Sequence, residues 1–217
     1  VIEIYILNLA CFAEQQAMAD LPAQITLKAT EFKLVKKRIE YLASQWLRHR
    51  VLSQYLDGKS DKLRFATTHS GRPYLINSDI DFNISHTRDY VVMAVAKGQK
   101  VGIDAQIKKE KIDALAIAKQ YFAESEYKKL LGVTDLTQRS NQFYWLWAYK
   151  EASLKLTGEG IVHGLDRYAF DVDSNGKLKS VILAQQTFTY FSYALDQNTL
   201  MCLAFENKNS PINLCYL

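Results

Sequence analysis

The stretch Trp147-Ala148-Tyr149-Lys150-Glu151-Ala152-Ser153-Leu154-Lys155-Leu156-Thr157-Gly158-Glu159-Gly160 decides how this chain is read. Phe143, Leu146, Trp147, Ala148, Leu154 and Leu156 recur at helical spacing and form one apolar side. The spacing predicts a main helix from about Leu136 to Leu156, stopped by Gly158 and Gly160. Glu151 and Lys155 stand four residues apart and so project from one face. On a solvated helix such a pair is an ordinary ion pair worth about 0.2–0.5 kcal/mol. What surrounds the helix decides whether these two residues do more.

Downstream, Tyr168–Val172, Lys179–Ala184, Thr187–Leu195 and Leu200–Glu206 read as strands. Asn175-Gly176 and Asp196-Gln197-Asn198 read as the hairpin turns between them. Upstream, 110–119 and 124–131 read as short helices. Val101-Gly102-Ile103-Asp104-Ala105-Gln106 reads as a short strand in which Asp104 interrupts an apolar run. A carboxylate there needs a cation, a metal or backbone donors. Gly98–Lys100 is a tight turn and Tyr90–Val95 a strongly β-forming apolar run. Before it comes Asp81-Phe82-Asn83-Ile84-Ser85-His86, where the histidine sits among small polar residues and reads equally as structural or functional. Ser70-Gly71-Arg72-Pro73-Tyr74 is a turn in which Pro73 restrains Arg72 to an extended shape. Asp57-Gly58-Lys59-Ser60 reads as a loop. Thr26 to Tyr55 reads as one long helix carrying Lys28, Lys33, Lys36, Lys37, Arg38, Arg48 and Arg50, most of them a solvated face. Leu21-Pro22 is a turn, and residues 1–9 a strand.

The halves share a grammar: one long helix plus short strands. This predicts an α+β protein of two pseudo-symmetric lobes, 1–98 and 99–217, joined near Lys97–Val101 and each built from a small antiparallel sheet and a long helix. The 217 residues suffice for either one large domain or two small lobes. No apolar run of about 18 residues spans a membrane. Val1–Ile6 alternates like a strand and lacks the basic region and cleavage site of a signal peptide. The chain opens on Val1 rather than Met, so a few leading residues are expected to be missing. Cys11, Cys202 and Cys215 are few and widely spaced, which predicts packed thiols in a reducing, cytoplasmic compartment. The net charge of +4 permits an anionic ligand or an acidic protein partner. It argues against a nucleic-acid binder, because Lys and Arg are interleaved with Glu and Asp rather than set in a stripe with stacking aromatics.

Gly71-Arg72-Pro73, Phe82-Asn83-Ile84-Ser85-His86, Val101-Gly102-Ile103-Asp104, Ala118-Lys119-Gln120-Tyr121-Phe122, Glu124-Ser125-Glu126-Tyr127 and the run Phe143–Lys155, continuing to Leu165-Asp166, follow one another in a fixed order. In that order and spacing, over about residues 70–170, the chain resembles the 4'-phosphopantetheinyl transferases of the surfactin-synthetase-activating type. The resemblance implies a single chain of two pseudo-symmetric lobes with coenzyme A between them and Mg2+ at its pyrophosphate. It implies transfer of the phosphopantetheine arm to a serine of an apo acyl, polyketide or peptidyl carrier protein, with 3',5'-ADP released. A monomer is expected.

By resemblance, Asp104 and Glu151 hold the metal, and Glu151 or a bound water accepts the serine proton. Lys155 meets charge on the leaving phosphate. His86 and Ser85 contact coenzyme A, and Arg72, where the family often has Lys, lies near the nucleotide. Arg38 is assigned to the 3'-phosphate, with Lys33 and Lys37 as substitutes. Gln120–Leu131 and the start of the main helix border the carrier groove, with Tyr121, Phe122 and Tyr127 as docking or core aromatics. One departure stands out: the family usually reads Asp-x-Glu, and this chain reads Asp104-Ala105-Gln106. The expected metal site therefore has two carboxylates and a weaker or water-mediated third position at Gln106. The alternative is a coenzyme A-binding module of the same fold that no longer transfers.

Overall fold

The computed structural model describes residues 1–56, 63–109, 112–159, 164–184 and 187–217. The strands are β1 (Ile2–Asn8), β2 (Phe65–Thr67), β3 (Pro73–Leu75), β4 (Ile80–His86), β5 (Tyr90–Lys97), β6 (Val101–Ile107), β7 (Ala169–Val172), β8 (Leu178–Leu183), β9 (Thr189–Ala194), β10 (Thr199–Phe205) and β11 (Ile212–Tyr216). The helices are α1 (Glu14–Asp20), α2 (Ala23–Thr30), α3 (Val35–Gln54), α4 (Ala114–Tyr121), α5 (Glu124–Gly132) and α6 (Leu136–Thr157).

Two sheets stack between two long helices. The first has the order β11-β1-β5-β4 and the second β6-β10-β9, with β2-β3 and β7-β8 as separate ribbons. Alternation along β5 explains the layering, because successive side chains leave opposite faces of a strand. Val91, Met93 and Val95 pack with Leu47 and Val51 of α3. Val92, Ala94 and Ala96 meet Val101, Ile103 and Met201 of the second sheet. Val91 to Ala96 are all apolar because both faces of the strand are buried there. The protein is thus α+β, with one long helix on the outer face of each sheet.

The element order departs from the expectation at three places. The helix expected over 26–55 is two helices, α2 and α3, preceded by the unanticipated α1. The chain folds back because Ala29 and Ile25 of α2 then pack on Leu42 and Tyr41 of α3; a straight helix would leave them in water. The C-terminal segment forms β11, which pairs parallel to β1 from Ile2↔Ile212 to Ile6↔Tyr216. It returns to the first sheet, which is therefore not purely antiparallel. The helix read at 110–119 is α4, one turn later, and residues 110–111 lie outside the described residues. The Asp57–Ser60 loop and Gly160 also lie outside them.

Gly158 closes α6 in the left-handed conformation, at φ 76°, with its N–H on the Leu154 carbonyl at 2.9 Å. Twelve residues of α6 are buried, so it is a core helix rather than a surface one. That burial includes Lys150, Glu151 and Ser153, each of which needs a partner.

Candidate active site

The first sheet ends in β4 and the second begins in β6, yet no backbone ladder joins them. Side chains do so instead. The Asp81 carboxylate accepts the Val101 N–H at 2.8 Å, the Asn83 carbonyl accepts the Ile103 N–H at 3.0 Å, and Ser85 Oγ accepts the Ala105 N–H at 3.2 Å. Alternate residues of β4 thus satisfy alternate donors of β6. The polar alternation Asp-x-Asn-x-Ser was visible in the sequence, and this seam is the role it performs.

Gly102 sets the opposite contact, between β6 and α6. A Cβ there would lie 2.2 Å from the Ala152 carbonyl oxygen and 2.4 Å from the Leu156 amide nitrogen. Only glycine lets strand and helix approach this closely. Gly102→Ala is expected to destabilise the fold by about 1–3 kcal/mol. It should also cut the rate by about 10²-fold, because a shift near 1 Å misplaces the acids. Chemical denaturation and turnover measured on the same preparation check both, and a variant with wild-type turnover contradicts the argument.

Between seam and helix lies Asp104, 2% exposed. Its Oδ1 accepts from Lys155 Nζ at 2.6 Å and from Ser85 Oγ at 3.0 Å, and its Oδ2 accepts from Gln106 Nε2 at 2.6 Å. Lys155 also donates to Ser85 Oγ at 2.9 Å. Lys155 therefore pairs across to the strand. Among the described residues no ion pair joins it to Glu151, although its charge reaches that residue. Glu151 is 4% exposed, and its pKa is raised from 4.5 to about 7. Burial is the main cause, the negative charge of Asp104 comes next, and Lys155 and a hydrogen bond from Trp147 oppose them.

Two cavities flank this centre. One of about 260 Å3 is lined by His86, Gln106, Ile112, Phe143 and Trp147, and is mostly apolar. The other, about 270 Å3, is lined by Arg72, Asn83, Glu151, Lys155 and Gly158. His86 ends β4 exposed at the first. Partial burial lowers its pKa, and the charges of Glu40, Lys37, Lys155 and Asp104 all reach it.

The other expected cations lie on and just before α3 and on the turn between β2 and β3. Arg38 is held by Glu14 of α1 at 2.7 Å, and Lys37 is the α3 cation whose charge reaches His86. Lys33 is exposed at the corner between α2 and α3. Arg72 lines the second cavity, with its side chain 10% exposed and its guanidinium donating to Asp81, Val101 and Leu156. Phe122 is core, stacked on Phe143 at 5.3 Å, whereas Tyr121 is 46% exposed. Missed altogether was the pairing of Lys150 with Glu126, both fully buried, at 2.6 Å. A lysine and a glutamate 24 residues apart give no periodic signal.

Among the described residues no group of three His, Cys, Asp or Glu side chains is arranged to hold a metal. The available oxygen donors are the two acids and the Gln106 amide. The donor set nonetheless fits a hard divalent cation, because Asp104 and Glu151 are buried carboxylates that, among the described residues, share the single charge of Lys155.

Fold and site describe an α+β protein that gathers two buried acids and a lysine where β6 meets α6. A profile of the 4'-phosphopantetheinyl transferase superfamily matches residues 100–211, and one of the N-terminal part of such transferases matches 13–98. The chain is 32% identical over 160 residues to 4'-phosphopantetheinyl transferase Sfp of Bacillus subtilis (strain 168), covering 73% of this chain and 69% of the relative. It is 29% identical over 151 residues to HetI of Nostoc sp., covering 68% and 63%, and 34% identical over 151 residues to gsp of Aneurinibacillus migulanus, covering 70% and 60%. The chain belongs to the 4'-phosphopantetheinyl transferase superfamily, and its activity class is the transfer of 4'-phosphopantetheine.

Proposed function

We propose that this protein transfers the phosphopantetheine arm of coenzyme A to a serine of an apo acyl, polyketide or peptidyl carrier protein. The serine oxygen forms a bond to the β-phosphorus of the diphosphate, and the bond from that phosphorus to 3',5'-ADP breaks. The observation that carries the reading is the convergence of Asp104 from β6 with Glu151 and Lys155 from α6 beside two cavities.

Glu151, titrating near 7, is suited to take the serine proton itself or through a water. Lys155 Nζ, already beside Asp104, can turn to the leaving phosphate oxygen. Asp104 and Glu151 would hold Mg2+, with Gln106 as a weaker or water-mediated partner. Bound there, the cation supplies charge neutralisation at the diphosphate. Arg38, Lys37 and Lys33 are the cations proposed for the 3'-phosphate; Arg38 is held by Glu14 at 2.7 Å and Lys37 by Glu40 at 2.6 Å.

The lobes are 1–98 and 99–217, a division supported by the family matches, which end at 98 and resume at 100. β11 is the element that crosses back. A cleft built between the halves of one chain supports a monomer. Free Cys11, Cys202 and Cys215 support a reducing cytoplasm, and among the described residues no helix is long and apolar enough to cross a membrane.

The test is mass spectrometry of apo carrier domains after incubation with coenzyme A and Mg2+. A gain of the phosphopantetheine mass supports transfer. Binding of coenzyme A with no mass gain on any carrier replaces it with the binding-module reading, which the missing second acid at Gln106 favours. Gln106→Glu removes a donor to Asp104 Oδ2 and adds a charge. It is expected to lower the Mg2+ concentration for half-maximal rate by about tenfold. An unchanged Mg2+ dependence puts Gln106 outside the metal's surroundings.

A further inference from the structure

Arg72 sits on the turn between β2 and β3, and its guanidinium reaches three other elements. Nη1 donates to the Leu156 carbonyl at 2.5 Å, and Nη2 donates to Asp81 Oδ2 at 2.6 Å and to the Val101 carbonyl at 2.8 Å. Leu156 lies in the last turn of α6, where carbonyls have no partner within the helix. Asp81 Oδ2 also accepts the Val101 N–H at 2.8 Å, so the carboxylate serves the clamp and the seam at once. The residue before Leu156 is Lys155, and Glu151 lies just over one turn earlier.

We propose that Arg72 is a positioning residue: it clamps the end of α6 to β4 and β6, and so sets where Lys155 and Glu151 stand relative to Asp104, rather than contacting coenzyme A. The fork geometry makes this specific to arginine. A lysine ammonium is a compact point donor and does not span a helix carbonyl, a strand carbonyl and a carboxylate together. A residue that served only to supply charge to a phosphate would tolerate lysine; a clamp does not.

The inference rests on the transferase reading for its kinetic arm but not for its exchange arm. The variants are Arg72→Lys, Asp81→Asn and the pair together. Arg72→Lys is expected to lower kcat by about tenfold or more while KM for coenzyme A stays within about twofold. Asp81→Asn keeps an acceptor for the Val101 N–H and removes the charge, and should show the same pattern more weakly. The double variant should be no worse than Arg72→Lys alone, since both break one clamp. Amide hydrogen exchange over residues 152–158, measured without coenzyme A, should quicken by about tenfold in each variant.

A kcat that is kept while KM for coenzyme A rises about tenfold makes Arg72 a direct ligand and overturns the proposal. So does unchanged exchange over 152–158. Should Arg72→Lys not fold, Asp81→Asn carries both arms. Should the wild type transfer to no carrier, the transferase reading fails and exchange alone decides the clamp.

Discussion

Glu151→Gln is expected to slow transfer by about 10³-fold and yet to raise the melting temperature of the cation-free protein at pH 8. The first effect follows from removing a proton acceptor and a cation ligand in one change; Asp104→Asn should act in the same direction on rate. The second follows from the pKa. Glu151 titrates near 4.5 when exposed and near 7 in the fold, chiefly because of burial and secondly because Asp104 stands beside it. A carboxyl whose folded pKa is raised binds its proton more tightly in the native state. Between pH 4.5 and 7 the unfolded chain has lost that proton and the native state has not, so stability falls as pH rises through this window. Above pH 7 the whole penalty, roughly 3 kcal/mol, persists. Gln is neutral and escapes it. Thermal melts in chelator at pH 4.5 and pH 8 should show the variant ahead only at the higher pH. Added Mg2+ should stabilise the wild type and not the variant. Equal melting temperatures at pH 8, or a rate within tenfold of wild type, would show that Glu151 is not the strained acid of this site.

Lys150→Ala is expected to be the most destabilising change outside the site, at about 3–5 kcal/mol. Lys150 and Glu126 are fully buried, 2.6 Å apart, and Lys150 also donates to the Leu165 carbonyl at 2.8 Å and to the Tyr168 carbonyl. The Phe122 and Phe170 rings lie near the ammonium. Glu126 accepts the Phe170 N–H at 2.9 Å and the Ala123 N–H at 3.2 Å. The pair thus ties α5 and the approach to β7 onto α6. Removing the lysine leaves a carboxylate with no countercharge, two carbonyls with no donor and a cavity. The double change Lys150→Met with Glu126→Gln keeps the volume and removes both charges, and should recover most of the loss. Urea unfolding of the three proteins checks this; a single variant as stable as wild type means the pair is merely tolerated.

The helix α6 and the strands from β7 to β10 were legible from local composition: Leu136–Thr157 is a long run free of Gly and Pro that Gly158 closes, and Thr199–Phe205 is near-continuous in β-formers. Elements whose existence depends on a distant partner were not. β11 forms because β1 offers a free edge, and nothing within Ile212–Tyr216 announces that pairing. The break between α2 and α3 comes from packing of Ala29 on Leu42, a contact between residues that a single helix would hold far apart. At the site, Asp104 and Glu151 could be named from the motifs they occupy, whereas their mutual influence depends on how closely Gly102 lets β6 lie on α6. Arg72 was read from its motif as a nucleotide residue, and only the folded arrangement shows its donors engaged by Asp81, Val101 and Leu156. Charge type was readable along the chain; the direction a side chain faces was not.

The seam between β4 and β6 has a taper built into its chemistry. Aspartate and asparagine reach out with one more carbon than serine, so the side-chain spacers of the seam form a wedge that shortens in passing from Asp81 and Asn83 to Ser85. The narrow end of that wedge is where Asp104 is held. Its aperture is set by the lengths of three side chains, so the spacing of the reactive groups can be retuned by lengthening or shortening one tooth while both sheets keep their own hydrogen bonding.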